Sequence, residues 1–504
     1  MRRTHSIVSC ALLWGALGCS GAESSTPEAS ESIEQAPEGG GVGALENVTE
    51  AAQDETSRQA MAAALDREFP LHGLVTRTSL TIRTEPDPES DIAGWLRWGE
   101  RVRLEAEPHR TPTCNSGWYK LAPRGYACAG QGIEVGETPP EVEDPVPPAQ
   151  RDQPMPYLYF LVKDPMVAEF HQLPSRDQQR AALAYGQRYV ELLESNERRA
   201  ARFLAGELPG EPQRHAAVAR FLNRGFFVAG TDVHVRSRRR FVRTTGGGFV
   251  KEANLEVRNG GDFHGVEIDA DHPLPLRWLL RSARPLIHRG ERPDGSGHRF
   301  PRDEEAEPIE RQTLFGEEYI ERVRIGDHFY HHLESDAWDG PRYLRDWFVT
   351  TVTAIEPPFE VEENEPWVHV DLSDQSLVVY RGARPVYATL VSTGLDEHAT
   401  PTGTFEIHKK SVTDTMANLG PDAGDDSYRI QDVPWTQYFE GSFALHTAFW
   451  HTRFGLQRSH GCVNLSPTDA HRVFQETWPR VPDGWHGVST DRTGFRASRV
   501  HITE

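Results

Sequence analysis

The sequence predicts a mainly β, multidomain protein with a mixed α/β region in its middle. Its length of 504 residues corresponds to about three domains. Near both ends, short runs of alternating apolar and polar residues are separated by Pro, Gly and Asp turns, which is typical of strands. Between these regions, apolar residues recur three and four positions apart, which is the spacing of amphipathic helices.

The first twenty residues, MRRTHSIVSCALLWGALGCS, have the pattern of a secretory signal peptide. Two arginines precede an apolar run, Ile7 to Leu17, that is too short to span a membrane. The predicted signal peptide, residues 1–19, ends in Ala-Leu-Gly-Cys, which resembles a bacterial lipobox and implies that Cys19 becomes the lipidated first residue of the mature protein. Ordinary cleavage to a soluble periplasmic product is the alternative. We therefore expect an exported, periplasmic protein, and Ser20 favours a lipid anchor in the outer membrane.

The composition excludes some partners. The chain is 37% hydrophobic and 26% charged, which is normal for a soluble protein. A formal net charge of −21 argues against a nucleic-acid partner, because phosphate binding needs clustered Lys and Arg. We expect a monomer. Residues 20–65 are predicted to be an acidic, disordered tether, because the part from Ser20 to Thr56 has acidic residues and no Lys or Arg.

Residues 70–135 are predicted to form a small all-β barrel. The stretches TSLTIRTEPDPESDIAGWLRWGERVRL and GWYKLAPRGYACAG resemble bacterial SH3-like domains, whose usual partners are cell-wall peptides. A structural spacer without a ligand is the alternative. This block contains Cys114 and Cys128, which are close enough in sequence to form a disulfide in an exported protein. Cys462 is then left over, and a single thiol in an oxidising compartment is either buried and inert or kept for its reactivity.

The next segments are a linker and an accessory region. Residues 136–156 are rich in Pro and acidic residues and are predicted to be extended. Within residues 157–360, the pattern predicts helix up to about residue 225, including one or two amphipathic helices in SRDQQRAALAYGQRYVELLESNERRAARFLAGEL. Short strands follow, which resemble a further SH3-like or all-β module. The His-rich segments 262–272 and 327–333 lack a recognised ligand spacing, so we expect no metal.

The final block, residues 365–504, begins with an antiparallel meander predicted from WVHVDL, LVVY and VYATLVSTG. TPTGTFEI adds a fourth strand, and FALHTAFW supplies an apolar strand that ends at His446. SHGCVNLS is followed by PTDAHRVFQET, which reads as a helix that begins at Pro467, because proline is tolerated in a first helical turn. Cys462 is therefore expected on a loop or strand just before a helix.

The motifs VDLSDQSLVVY, VSTG, TPTGTFEI, ALHTAFWH and SHGCVNLSP, in this order, resemble the catalytic domain of L,D-transpeptidases, the cysteine enzymes that cross-link bacterial peptidoglycan. The resemblance implies a β-sandwich-like catalytic domain that needs no cofactor and has Cys462 as its nucleophile. It also implies His446 as the base. The twelve residues between His446 and Ser459 are a shorter interval than is usual in the family, so His451 is the alternative base.

The chemistry requires these residue types. A thiol of ordinary pKa, about 8.5, is mostly protonated at neutral pH, so a nucleophilic cysteine needs an adjacent base. His446 can take the proton and return it to the leaving amine. Backbone amides of His460, Gly461 and Cys462 can stabilise the oxyanion, and Gly461 leaves room for a carbonyl. His460 is expected either to transfer a proton or to hold the loop.

The resemblance also implies the substrate, which is the tetrapeptide stem of peptidoglycan. The cysteine attacks the carbonyl of diaminopimelate at its L centre, releases D-Ala and passes the acyl group to an amine. Ser459 and Asn464 are expected to orient and contact this substrate, and Tyr428, Trp450 and Thr447 to line its site; core packing is the alternative for Tyr428 and Trp450. Met416 and Trp435 are further candidates. Two functional alternatives are an L,D-carboxypeptidase, in which water takes the acyl group, and a non-catalytic lipoprotein that binds the cell wall.

Overall fold

The computed structural model describes residues 60–142, 145–419 and 427–504. The predicted signal peptide, Cys19 and most of the predicted tether lie outside the described residues. Residues 60–68 form a helix (α1), so the predicted disordered tether does not continue to residue 65. From Ala63 to Glu504 the chain forms one compact unit.

The N-terminal block consists of short strands, as the sequence predicts. A disulfide joins Cys114 and Cys128, which confirms the predicted pair. Their side chains pack with Trp118 in a small buried cluster. The SH3-like identity of this block stays a prediction. Its strands are β1 (Leu71–Val75), β2 (Ser79–Arg83), β3 (Ile92–Arg97), β4 (Arg101–Leu104), β5 (His109–Thr111), β6 (Cys114–Lys120), β7 (Tyr126–Cys128) and β8 (Ile133–Gly136).

The predicted linker begins at Gly136, the last residue of β8; its other described residues form no helix or strand, but they pack along the C-terminal block. The Arg151 guanidinium donates hydrogen bonds to the carbonyls of Val481 and Pro482, at 2.6 and 2.8 Å. The indole N–H of Trp435 donates to the carbonyl of Pro154 at 2.7 Å. The segment therefore fixes neighbouring parts of the chain against each other.

The first part of the accessory region is only partly helical. Two helices form where the amphipathic pattern is found, and a capping box between Ser175 and Gln178 begins the first of them. The prediction of helix is wrong on both sides of this pair, because short apolar runs such as LYFLV pair with neighbouring strands instead. The elements are β9 (Leu158–Val162), β10 (Val167–Phe170), α2 (Arg176–Ser195), α3 (Glu197–Leu204) and β11 (Val218–Leu222).

The second part of the accessory region consists of short strands, as predicted. The strand β9 pairs with two of them, β12 and β15, in antiparallel register. The strands are β12 (Phe227–Arg236), β13 (Arg239–Thr244), β14 (Phe249–Lys251), β15 (Leu255–Arg258), β16 (Val266–Glu267), β17 (Leu276–Leu279), β18 (Tyr319–Ile325), β19 (His328–Leu333), β20 (Arg342–Arg345) and β21 (Val349–Val352).

The C-terminal block contains two sheets. The predicted meander is confirmed as β22 (Pro366–Asp371), β23 (Ser376–Arg381) and β24 (Arg384–Leu390). The last strand, β31 (Arg499–Thr503), lies between β22 and β25 (Gly403–Glu406) and completes the first sheet with β16 at its other edge.

The second sheet carries His446 and the strand that follows Cys462, together with a long hairpin that was not predicted from the sequence. The hairpin is β26 (Lys409–Asn418) and β27 (Tyr428–Glu440), followed by β28 (Phe443–Thr447), β29 (Val463–Leu465), α4 (Pro467–Glu476) and β30 (Gly487–Ser489). Pro467 begins α4, as predicted. Val368 of the first sheet and Leu445 of the second belong to one buried apolar cluster, which gives the predicted sandwich-like packing.

The N-terminal block joins this second sheet directly. Gly94 and Trp95 of β3 pair with Val488 and Gly487 of β30. Leu80 and other buried residues of the N-terminal block belong to the same apolar cluster as the two C-terminal sheets. The two blocks are therefore packed against each other, although the linker separates them in sequence.

Candidate active site

Two adjacent parallel strands bring the predicted catalytic residues together. Leu445 and His446 of β28 pair with Val463 and Asn464 of β29. Cys462 immediately precedes β29, so the loop that contains it reaches the sheet beside the strand that carries His446. This pairing explains how residues from two separate motifs share one site.

Cys462 is the free cysteine of the described residues, and its side chain is half-buried. Its Sγ atom lies 3.8 Å from the carbonyl oxygen of Ser442, to which the thiol donates. Burial raises the pKa of this thiol to about 11. The thiol is therefore protonated at neutral pH, and a nearby base is needed to make it a nucleophile.

The loop before Cys462 is held by side-chain hydrogen bonds. The Ser459 hydroxyl donates to the carbonyl of Cys462 at 2.5 Å and accepts from the amide of Gly461 at 3.1 Å. The Thr400 hydroxyl donates to the carbonyl of Gly461 at 2.8 Å. Ser459 therefore orients the loop, and its expected contact with substrate stays a prediction.

Gly461 has a packing role that the sequence did not indicate. Its φ of +109° is in the left-handed region, and a Cβ atom there would lie 2.2 Å from Cε1 of Phe443. Glycine is thus required by the backbone conformation and by the close packing of Phe443, and its role in leaving room for a carbonyl stays a prediction. Because its amide donates to Ser459, that amide does not serve the predicted oxyanion hole in this structure. The amides of His460 and Cys462 stay as the predicted donors.

His446 has the hydrogen-bonding pattern expected of a general base. Its Nδ1 atom lies 3.0 Å from the carbonyl oxygen of Thr447. A carbonyl can only accept, so Nδ1 carries the ring proton, and Nε2 keeps its lone pair. Burial lowers the pKa of His446 to about 4. The ring is consequently neutral at physiological pH and can accept a proton.

His451, the alternative base, uses both of its ring nitrogens. Its Nδ1 atom accepts from the backbone amide of Arg453 at 3.3 Å, and its Nε2 atom lies 3.1 Å from the side-chain amide nitrogen of Asn464. Burial lowers the pKa of His451 to about 4 as well. The hydrogen bonds therefore favour His446 over His451 as the base, although both rings line the same cavity.

A cavity of about 600 Å³ opens beside Cys462. Most of the predicted site residues line it. The ring centroids of Trp450 and His446 lie 5.8 Å apart. The predicted residues that line it are His446, His460, Ser459, Cys462, Asn464, Tyr428, Trp450 and Met416.

Three predicted residues, Gly461, Thr447 and Trp435, are not among those that line this cavity. Thr447 is completely buried and its neighbour His446 lines the cavity, because successive side chains of a strand point to opposite faces. The prediction that Thr447 contacts substrate is therefore wrong. Trp435 is also buried, within the apolar core shared by the two sheets.

Other lining residues were not found from the sequence. Arg458 precedes the predicted loop and Ser442 precedes β28, so their position beside a motif was an available signal. No local pattern marks the residues contributed by the long hairpin or by the accessory region. These additional lining residues are Phe227, Thr415, Ala417, Ile430, Tyr438, Ser442, Phe443 and Arg458.

Comparisons with known proteins agree with the assignment of this block. Residues 365–483 match the model of the YkuD family, described as the L,D-transpeptidase catalytic domain. YciB of Bacillus subtilis strain 168, itself named as a candidate L,D-transpeptidase, is 25% identical over 143 residues, which are 26% of this chain and 69% of that protein. The C-terminal block is thus supported as an L,D-transpeptidase-type catalytic domain.

Solved structures of L,D-transpeptidases are also similar to part of the chain. One from Enterococcus faecium has 19% identity and a TM-score of 0.22, covering 28% of this chain and 50% of that one. One from Stackebrandtia nassauensis has 23% identity and a TM-score of 0.22, with 29% and 59% covered. One from Mycobacterium smegmatis has 17% identity and a TM-score of 0.24, with 35% and 90% covered. The chain thus spans little more than half the length of the first two.

Within the described residues, no group of three or more His, Cys, Asp or Glu side chains is arranged to hold a metal ion. His331 of the second His-rich segment is buried and lies 3.0 Å from the hydroxyl of Tyr319. Its other nitrogen lies 3.2 Å from the carbonyl of Asp346. These contacts give it a structural role.

Proposed function

We propose that the protein is an L,D-transpeptidase that forms peptidoglycan cross-links by cysteine acyl transfer. The observation that carries this proposal is the meeting of the free Cys462 thiol and the neutral His446 ring on one cavity, within a block that matches the family. The donor is the tetrapeptide stem, and the acceptor is an amine.

The resting thiol and imidazole are both neutral, because burial raises the pKa of Cys462 to about 11 and lowers that of His446 to about 4. Proton transfer from Sγ to Nε2 therefore accompanies attack on the donor carbonyl. A carbon–sulfur bond forms, the carbon–nitrogen bond to D-Ala breaks, and the imidazolium returns its proton to the leaving amine. The acceptor amine then attacks the thioester, a new amide carbon–nitrogen bond forms and the carbon–sulfur bond breaks. His446 takes the proton that the amine loses and returns it to the sulfur, which regenerates the thiol.

Product analysis tests this proposal. The full chain is incubated with tetrapeptide muropeptides, and the products are identified by mass spectrometry, with Cys462→Ala as the control. We expect a 3→3 cross-linked dimer from the wild type and none from the variant. A trimmed tripeptide without dimer would instead establish the carboxypeptidase, and unchanged substrate would favour the non-catalytic wall-binding protein.

We also propose that the protein is exported and anchored by lipid on Cys19 to the outer membrane, with the predicted SH3-like domain binding cell-wall peptides. The pattern of the first twenty residues supports this proposal. No helix in the described part of the chain is long and apolar enough to cross a membrane.

Cys19→Ser should abolish lipid labelling and shift the protein to the soluble fraction. Unchanged processing and fractionation would favour ordinary cleavage.

A further inference from the structure

One wall of the active-site cavity comes from outside the catalytic block. Phe227, the first residue of β12 in the accessory region, lines the cavity together with Cys462. The backbone of Phe227 pairs in parallel with that of Ile430 on β27, and Ile430 lines the cavity too. The accessory region therefore reaches the space that the substrate would occupy.

This wall is apolar. Phe227 is half-buried, and its ring centroid lies 5.6 Å from that of Phe449 and 6.2 Å from that of Trp450. Met416 and Tyr428 pack in the same cluster. The other lining residues include Arg458 and His460, which are polar and exposed. The cavity thus offers an apolar side and a polar side, as a peptide with apolar and charged parts requires.

A buried network around Asp432 holds this wall in place. The Arg97 guanidinium of the N-terminal block donates two hydrogen bonds to the Asp432 carboxylate, at 2.6 and 2.9 Å. From the accessory region, the Thr245 hydroxyl donates to the same carboxylate, and the Tyr159 hydroxyl donates to the Asp432 carbonyl at 2.7 Å. Asp432 is on β27, so three separate parts of the chain meet at the strand that faces the substrate.

The hairpin has an irregular backbone at this point. Asp432 has a φ of +54°, which is unfavourable for a residue other than glycine and is maintained here by its surroundings. The pairing of β26 with β27 shifts register between Asp414 and Met416. Such a bulge re-aims side chains, and the residues that follow it, Met416 and Ala417, line the cavity.

We propose that the accessory region forms part of the acyl-donor subsite, with Phe227 contacting an apolar part of the donor peptide. Phe227 is then a specificity-determining residue, and the Arg97–Asp432–Thr245 network positions the strands that carry it and Ile430. The proposal rests on the proposed function, because the donor peptide is taken as the ligand of the cavity.

The test compares Phe227→Ala with Phe329→Ala in the full chain. Phe329 lies on β19, is 39% exposed and lies away from the cavity, so it controls for the loss of an aromatic side chain. We expect Phe227→Ala to raise the KM for the tetrapeptide donor about tenfold with kcat little changed, the usual scale for losing an apolar pocket contact. If that variant does not fold, Phe227→Leu replaces it, with about a threefold rise expected.

Alkylation of Cys462 by iodoacetamide shows whether the catalytic loop is disturbed. We expect the same rate for the wild type and both Phe227 variants, because a small reagent does not need the apolar wall. A KM for a folded Phe227 variant equal to that of Phe329→Ala would overturn the proposal. An altered alkylation rate together with the raised KM would also overturn it, because the effect would then come from displacement of the loop.

Peptide binding to a Cys462→Ser chain separates this inference from the proposed function. Calorimetry would compare the Kd of the tetrapeptide for Cys462→Ser alone and for Cys462→Ser with Phe227→Ala. If the wild type shows no turnover, but the second substitution weakens binding about tenfold, the proposed function fails and the subsite stands. Equal Kd values, or no binding to either chain, would overturn the subsite.

Discussion

The two walls of the cavity are built in different ways. The catalytic wall comes from β28 and the loop before β29, and short-range hydrogen bonds such as that between Ser459 and Cys462 hold it. The apolar wall comes from β12 and the hairpin β26–β27, and long-range contacts to Asp432 hold it. The reactive groups are thus encoded in compact motifs, whereas the surface that faces them depends on packing between distant parts of the chain.

Substitution of Cys462 should abolish the reactivity of the catalytic wall. The resemblance to L,D-transpeptidases implies that carbapenems acylate this cysteine, so we expect one adduct, which peptide mapping places on Cys462. Cys462→Ala should abolish both the adduct and turnover, because no other described cysteine has a free thiol. An adduct that persists in the variant would show that another residue is the nucleophile.

Removal of Arg97 should destabilise the packing of the apolar wall. The side chain of Asp432 is 5% exposed, so Arg97→Ala would leave a buried carboxylate without its cation. We expect a loss of about 3–5 kcal/mol in the free energy of unfolding, measured by urea denaturation. The control is Arg180→Ala, which removes an exposed pair with Asp177 and should cost less than about 0.5 kcal/mol. Equal losses in the two variants would show that Arg97 does not hold this wall.

This contrast explains how much could be predicted from the sequence. The meander and the helix at Pro467 follow from local patterns, and both are found. The resemblance to L,D-transpeptidases implies that His446 and Cys462 share a site, and both line one cavity. The pairing of Phe227 with Ile430 has no local signal, because it joins strands far apart in the chain.

Individual side-chain roles also depended on contacts that the sequence does not show. The packing role of Gly461 could not be predicted, because Phe443 lies against its backbone only in the folded structure. In contrast, the position of Thr447 could have been derived, since it follows His446 in a strand and must face the opposite side.

Replacement of His446 and of His451, one at a time, should show which of the two acts as the base. His446→Ala should slow acylation of Cys462 roughly a hundredfold or more, which is the usual scale for losing a general base. His451→Ala should slow it much less, since both nitrogens of that ring have other partners. The measurement is the rate of adduct formation by mass spectrometry, with circular dichroism to establish folding. The opposite ranking would identify His451 as the base.

The pH dependence of stability should detect the burial of His446. Burial lowers its folded-state pKa to about 4, whereas an unfolded histidine has a pKa of about 6.5. Between these values the unfolded chain binds the extra proton, so stability falls as the pH is lowered through this window and is fully present above it. We expect this site to contribute a slope of up to about 1.4 kcal/mol per pH unit.

Two variants isolate this contribution, because His451 and His369 also have pKa values lowered to about 4 and add to the total slope. Urea denaturation at several pH values would compare the wild type with His446→Gln, whose slope between pH 6.5 and 4 should be shallower by the amount of one histidine. His328→Gln is the control, since that residue is exposed on β19 and should leave the slope unchanged. Identical slopes in the wild type and His446→Gln would mean that His446 takes up its proton in the folded protein as readily as in the unfolded chain. His446 would then be partly protonated near pH 6.5, and only its remaining neutral fraction could accept the proton of Cys462 during attack.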